Sequence, residues 1–314
     1  GGERVLGGVA LISAGLESDG GIRHLNKLHG LTIGALGGTP PPELETLSKV
    51  LAGAGFDFVL SGDIVQAMWD KIVFLATLAG ATCLMLDCGF GLRETVTRLL
   101  RVGRQPGDLD GIVVTHEHGD HVGGVFRLAR KYEIPVWLTH GTWSGCRIDD
   151  AGLDLRIIDS HRSFAVGDFE LAPFPVPHDA REPVQYVFSA AGLRLGVLTD
   201  VGETTPHICA MLSGCDGLVL EFNHDAGLLA GSAYPASVKR RIAGRFGHLE
   251  NGAAAALLRE IDCSHLQHLV AAHLSERNNQ PERVLSIAAN VLAGSGVEIA
   301  VATPDFGFDW RSLV

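Results

Sequence analysis

The chain of 314 residues is predicted to fold as an α/β protein, and three features of the sequence indicate this class. Apolar, β-branched runs typical of buried strands alternate along residues 81–314 with segments of helical periodicity. Hydrophobic residues make up 46% of the chain, which is enough to bury one large core or two smaller ones. The 40 glycines suit a fold with many tight turns. Alternating elements of this kind predict sheets covered by helices.

Residues 1–80 carry element patterns of their own. Turn signals at Gly37-Gly38 and at the three prolines that follow separate the apolar runs. An N-cap aspartate, Asp63, precedes the last helical pattern. We expect strands at Val9–Ser13, Leu31–Leu36 and Phe56–Leu60, and helices at 43–54 and 64–78.

Two segments of this part resemble ketopantoate reductase, namely GIRHLNKLHGLTIGALGG and DIVQAMWDKIVFLATLAGATCL. They are similar to the end of that family's nucleotide-binding domain and the start of its helical domain. Lys71 stands where the family's catalytic lysine would. No G-x-G-x-x-G follows a strand, so the sequence offers no pyrophosphate cradle. We therefore interpret Lys71 as a solvated helix residue and residues 1–80 as a structural fragment.

Residues 81–314 alternate regularly between the two element types. A buried run, Gly111–Val114, ends at a polar loop, and Ala190-Ala191-Gly192 separates two alternating runs as a hairpin turn would. We expect helices at 92–102, 122–132, 235–246, 251–261 and 281–292, and strands at 82–88, 111–114, 135–139, 155–159, 164–175, 184–189, 193–199, 217–221, 266–272 and 297–303.

The polar loop is the most informative stretch of the chain. His116, His118, Asp120 and His121 fall within six positions, in the pattern H-x-H-x-D-H. Imidazole and carboxylate groups are ligands for zinc and similar divalent ions. His116 and His118 point to one side of an extended segment, and the turn at Gly119 directs the next two residues to a second point. The loop therefore predicts two ligands for each of two ions about 3.5–4 Å apart.

This loop, together with PVPHDA, VLTDVG, EFNHDAGLL, GRFGHLEN and AAHLSERNN, resembles the metallo-β-lactamase superfamily. The similarity covers residues 81–314 and is strongest to a bacterial branch that includes the WalJ-type DNA exonucleases. It implies an αββα sandwich in which residues 1–80 form an atypical N-terminal α/β segment that replaces the opening strands. A sheet without its edge strand exposes unpaired backbone groups. We therefore expect a strand from residues 1–60 to pair there, in the same chain or in a homodimer.

The resemblance also implies three further ligands, each at the end of a strand. His178 would complete the first site, Asp200 would bridge both ions, and His273 would complete the second site. The predicted ligand set is thus His116, His118, Asp120, His121, His178, Asp200 and His273.

Three more residues have proposed roles in this reading. Asp87 would orient the metal loop through hydrogen bonds, unless it is only a turn former. His224 and His248 would contact a phosphate or protonate a leaving oxygen, or else be structural histidines. Two divalent ions would hold a hydroxide that attacks a phosphodiester. Zinc is the expected ion, with manganese or iron as alternatives. Asp120 would orient that nucleophile or take its proton.

The substrate follows less directly from the sequence. The formal net charge of −11 argues against a generally basic, nucleic-acid-binding surface. A local cluster of cations on one predicted helix could still neutralise the phosphates of DNA, namely Lys239, Arg240, Arg241 and Arg245. The alternative is that the cluster is only a solvated helix face. Two alternatives remain open. One is a β-lactamase or lactonase that opens a cyclic amide or ester, and the other is a metal-binding fusion protein with little activity.

The cysteine pattern and the hydropathy of the chain indicate its compartment. The six cysteines are scattered without a C-x-x-C pair, which favours reduced thiols in a cytoplasmic protein. The longest apolar run, Ile72–Leu86, is too short and too rich in small residues to span a bilayer.

Overall fold

The structure is a computed structural model that describes residues 6–16, 22–35, 49–50, 57–60, 82–303, 307–308 and 310–314. The chain divides into two compact units, residues 1–81 and 82–314. The roles predicted for the two parts stay predictions.

The first unit contains a three-stranded sheet. Strand β1 (Leu6–Leu16) pairs antiparallel with β2 (Ile22–Ala35), which pairs in parallel with β3 (Asp57–Leu60). The three predicted strands are present, although β2 begins well before residue 31. The expected pairing of one of these strands with the sheet of the hydrolase part stays a prediction. The position of Lys71 and the helix predicted at 64–78 lie outside the described residues.

The second unit has strands and helices in alternation, as the sequence predicts. Its strands are β4 (Leu84–Leu86), β5 (Gly111–Val113), β6 (Val136–Thr139), β7 (Leu155–Ile158), β8 (Phe164–Val166), β9 (Phe169–Pro175), β10 (Val184–Ala190), β11 (Leu193–Leu198), β12 (Gly217–Glu221), β13 (His268–Ala272) and β14 (Glu298–Val301). Its helices are α1 (Leu92–Arg101), α2 (Gly119–Val122), α3 (Val125–Tyr132), α4 (His140–Cys146), α5 (Pro206–Leu212), α6 (Ala226–Gly231), α7 (Ala236–Ile242), α8 (Asn251–Glu260) and α9 (Pro281–Val291).

These strands form two sheets that pack face to face. The smaller sheet has the order β4-β5-β6-β7, all parallel, and the larger has the order β14-β13-β12-β11-β10-β9-β8. Apolar side chains between the sheets, such as Val113, Trp137 and Tyr186, form one core cluster. Two further clusters lie between each sheet and its outer helices. The layers are therefore helix, sheet, sheet, helix, which confirms the predicted αββα sandwich.

Several predicted elements differ in detail. Residues 164–175 form two strands joined by a turn at Gly167, whose φ of 56° is left-handed, and not one continuous strand. The helix predicted at 235–246 ends at Ile242, so Arg245 does not lie on it. The predicted helix 122–132 is broken at Gly123-Gly124 into α2 and α3. Helices α4, α5 and α6 were not predicted, because they are short and lack an extended apolar repeat.

The strand directions bring the polar loops to one edge of the sandwich. Strands β9 and β11 both run antiparallel to β10, and β11, β12 and β13 are mutually parallel. The carboxyl ends of these strands therefore meet at the same edge. Two hydrogen bonds join the sheets there, from Val184 N to Thr115 O at 3.1 Å and from Tyr186 Oη to Val114 O at 2.8 Å.

In the part of the chain that the structure describes, no helix combines the length and apolar character needed to cross a membrane. All six cysteines are free thiols, as the sequence predicts.

Candidate metal centre

Three histidines converge at the first predicted site. His118 Nδ1 lies 3.0 Å from His116 Nε2 and 3.3 Å from His178 Nε2. The other ring nitrogen of His178 lies 3.2 Å from Gly247 O, to which it can donate. That bond leaves Nε2 with a lone pair that faces the other two rings. Three ring nitrogens that meet at one point fit a shared cation, since they cannot all donate to one another.

Burial supports the neutral state that a ligand needs. Burial, and then the nearby His121, lower the pKa of His116 to about 2. Burial also lowers the pKa of His178, against the opposing effect of Asp200. Both imidazoles are therefore neutral at pH 7 and have a lone pair to offer.

A second group forms around His121 and His273. His121 Nε2 lies 3.2 Å from Asp200 Oδ2 and 3.8 Å from Asp120 Oδ2. His273 Nε2 lies 3.6 Å from Asp200 Oδ1. Ligand atoms of Asp120, His121 and His273 lie within 4.8 Å of one another, close to the span that two ligands about 2.0–2.2 Å from one ion allow.

Asp200 lies between the two groups. Its Oδ1 is 3.9 Å from His178 Nε2, and its Oδ2 faces His121. Oδ2 is buried, yet it forms no hydrogen bond with any described residue. A buried carboxylate oxygen without a donor is costly unless a cation satisfies it. This oxygen and the converging imidazole nitrogens fit a bound divalent cation.

The pKa values of the second group are shifted by the charges that its members place close together. Burial opposes the charged form of His121, but the negative charges of the nearby Asp200 and Asp87 carboxylates outweigh it and raise its pKa to about 11. For His273, burial is outweighed by Glu221 and Asp200, and its pKa rises to about 9. Burial opposes the charged form of Asp200, but the histidines around it lower its pKa. The carboxylates beside these histidines supply negative charge that a bound metal cation would offset, and the cation would displace the two protons.

The backbone at three strand ends is left-handed. Asp87, Asp200 and His273 have φ values of 56°, 52° and 58°, and each follows a strand. Residues other than glycine rarely adopt this strained conformation, and those that do cluster at functional sites. Here it turns each side chain from the strand into the shared edge.

Asp87 orients the metal loop, as the sequence predicts. Its Oδ1 accepts from Thr115 N at 2.8 Å, and its Oδ2 accepts from Thr115 Oγ1 at 2.7 Å and from His121 Nδ1 at 2.8 Å. This last bond leaves His121 Nε2 to face Asp200. Gly89 allows the close approach of the loop, because a Cβ there would lie 1.8 Å from Asp120 O.

Glu221 is the residue that the sequence analysis missed. This fully buried carboxylate accepts four hydrogen bonds, two at each oxygen. Oε1 accepts from His273 Nδ1 at 2.7 Å and from His248 Nδ1 at 3.0 Å. Oε2 accepts from Val201 N at 2.9 Å and Leu249 N at 3.2 Å. Although burial opposes ionisation, the bonds to the two histidines lower its pKa. The sequence did contain a signal for Glu221, because it is a carboxylate at the end of an apolar strand, as Asp200 is.

The structure separates the two histidines whose roles were open. His248 joins the metal centre, since its Nδ1 is bound to Glu221 and lies 3.6 Å from Asp200 Oδ1. His224 is not among the residues that could hold an ion. It is buried, with Nδ1 3.3 Å from Asn223 Oδ1, and lines a cavity beside His248.

The predicted cluster of four cations is divided. Arg241 Nε is 2.8 Å from Asp179 Oδ2, and Arg245 Nε is 2.6 Å from Glu203 Oε1. Lys239 donates to Ala230 O at 2.6 Å, and Arg240 is exposed. The prediction that all four cations lie on one helix was therefore wrong, because α7 ends before Arg245.

Comparison with known proteins places the chain among characterised families. A family model described as "Beta-lactamase superfamily domain" matches residues 82–274. Exodeoxyribonuclease YycJ of Bacillus anthracis is 34% identical over 222 residues, which cover 70% of this chain and 84% of that protein. Exodeoxyribonuclease WalJ of Streptococcus pneumoniae is 31% identical over 236 residues, which cover 71% and 87%.

Among solved structures, the metallo-beta-lactamase fold protein YhfI from Bacillus subtilis aligns with a TM-score of 0.54 and 14% identity. The alignment covers 73% of this chain and 87% of YhfI. At that identity the likeness concerns the fold alone.

Proposed function

The chain belongs to the beta-lactamase superfamily and is a metal-dependent hydrolase, and from this premise we propose that it holds two ions and cleaves phosphodiester bonds in DNA. The observation that carries the proposal is the pair of ligand groups, one of three histidines and one around His121 and His273, with Asp200 between them. The names of the relatives YycJ and WalJ support DNA as the substrate. Zinc fits the histidine and carboxylate ligands, and manganese and iron share this preference.

When bound, the ions would lower the pKa of a water molecule and neutralise the charge that develops on the phosphate. The protein supplies the proton acceptor. Asp120 is the most accessible carboxylate of the site, with 73% of its side chain exposed, and it lies beside His121. It is placed to orient the attacking water and to take its proton as the new oxygen–phosphorus bond forms.

His248 is placed to supply the proton to the leaving oxygen. Its Nδ1–H donates to Glu221 Oε1, so its Nε2 remains for the substrate. The bond to the buried carboxylate fixes the orientation of the ring. The phosphorus–oxygen bond to the leaving group breaks as His248 Nε2 gives its proton to that oxygen. Glu221 thereby positions both His248 and His273.

The test is a panel of substrates with matched variants. The wild-type protein should hydrolyse bis-p-nitrophenyl phosphate and duplex DNA but not a cephalosporin. Metal analysis should give about two ions per chain. His116→Ala combined with His118→Ala should abolish hydrolysis and leave a folded protein, whereas His161→Ala, an exposed histidine outside the site, should change neither. Wild-type turnover in the double variant, or cleavage of the cephalosporin alone, would refute the proposal.

A further inference from the structure

A cavity of about 660 Å³ lies next to the candidate metal centre. His248 belongs to both, because its Nδ1 is bound to Glu221 while its ring lines the cavity. The volume falls within the range of roughly 300–1,000 Å³ that small-molecule pockets have. The mechanism described above uses none of the other side chains in its wall.

Most of the cavity wall is apolar. Leu229 of α6, Ala253 of α8 and Ala243, just after α7, are among its residues. Two cations, Lys239 and Arg240, lie in the same wall. Lys239 uses one N–H for Ala230 O and keeps two, and Arg240 has no ion-pair partner among the described residues. A wall of this kind suits a ligand with a flat apolar body and an anionic group.

Two polar groups in the wall remain able to bind a ligand. Glu250 accepts from Gly252 N and Ala253 N through Oε2, and its Oε1 has no hydrogen-bond partner in the described part of the chain. His224 keeps Nε2, since its Nδ1 faces Asn223. All four nucleobases carry an N–H donor on the Watson–Crick edge, so one carboxylate oxygen can serve any of them. The cavity thus offers what a nuclease indifferent to sequence needs.

We propose that this cavity binds the terminal nucleotide of the DNA, an inference that rests on the proposed function. The base lies against the alanine and leucine wall, and the nucleotide's own phosphate lies at Lys239 and Arg240. Its sugar oxygen, which is the leaving oxygen, then lies at His248. Hydrolysis forms the water oxygen–phosphorus bond and breaks the bond from phosphorus to this sugar oxygen, which takes the proton of His248. The nucleotide leaves as a nucleoside monophosphate.

Direct binding tests the assignment without catalysis. Deoxyadenosine 5′-monophosphate is titrated calorimetrically into the wild type and into the His116→Ala/His118→Ala variant. In both, it should bind at least tenfold more tightly than deoxyadenosine or inorganic phosphate. Arg240→Glu and Ala243→Trp, which reverse the charge and fill the cavity, should each weaken this binding at least tenfold. Arg127→Glu and Leu285→Trp, the same kinds of change at exposed positions outside both sites, should leave it unchanged.

The outcomes separate this inference from the proposed function. If the protein cleaves DNA but the nucleotide does not bind, or binds equally well to both cavity variants, the cavity assignment is overturned and the hydrolytic function stands. If the nucleotide binds as described but no diester is hydrolysed, the nucleotide site is supported and the proposed cleavage of phosphodiester bonds in DNA is wrong. With oligonucleotide substrates, Ala243→Trp should raise KM at least tenfold, and an unchanged KM also overturns the assignment.

Discussion

Substitution of Glu221 by glutamine is the sharpest test of how the metal centre is positioned. The change keeps the shape of the side chain and replaces one acceptor oxygen with an NH₂ group. Each carboxylate oxygen serves two donors, the ring N–H groups of His248 and His273 or the backbone N–H groups of Val201 and Leu249. Whichever way the amide turns, two donors lose their acceptor.

The cost follows from this count. A hydrogen bond to a charged group contributes about 1.5–3 kcal/mol, so the loss of two amounts to about 3–6 kcal/mol of the free energy of unfolding. The smaller desolvation cost of a neutral amide offsets part of it. Loss of a carboxylate behind a metal-binding histidine typically lowers metal affinity by about 10–100-fold. The metal affinity of the site that contains His273 should fall by this factor. The metal affinity of the three-histidine site should not change, because Thr115 and Gly247 contact its rings.

The assay combines urea unfolding of the metal-free protein with a zinc titration against a chromophoric chelator. Glu203→Gln is the matched control. Glu203 is 42% exposed and paired with Arg245, a surface pair that contributes about 0–1 kcal/mol. Unchanged affinity for both ions in Glu221→Gln would refute the positioning role. Equal weakening of both ions would show that the two groups do not act separately.

Two further predictions follow from the same geometry. The free energy of unfolding of the metal-free protein should fall from about pH 7 to pH 9.5, because the pKa of His273 is raised to about 9. The stability that this histidine contributes is complete below its unfolded pKa of about 6.5 and is lost as the pH rises through 9. Urea unfolding at the two pH values measures this, and equal stability would contradict it. Gly89→Ala should weaken metal binding at Asp120, because the added Cβ would collide with Asp120 O. Gly91→Ala, which has open space around it, should have little effect. Calorimetric zinc titration of both variants tests this, and equal affinities would show that the loop tolerates the added Cβ.

The sequence predicted those features of the fold that depend on neighbouring residues. The runs that became β5 and β12, and the hairpin turn at Ala191-Gly192, are encoded by local apolar and turn patterns. The same holds for the metal loop, whose density of ligands is itself a local signal. Helix ends were less well defined, because Ile242 ends α7 where the sequence still permits a helix.

The sequence alone also predicted, through the loop and its family resemblance, the seven candidate ligands, although not Glu221. Only the tertiary structure decided how they are arranged around Glu221, which joins His248 to His273 although these residues are distant in sequence. It also decided that Arg241 and Arg245 are paired with carboxylates, and that His224 lies in the adjoining cavity. The physical reason is that hydrogen bonds and ion pairs depend on distances between atoms. Strand order and packing set those distances for residues on different elements, whereas periodicity along the chain specifies only neighbours.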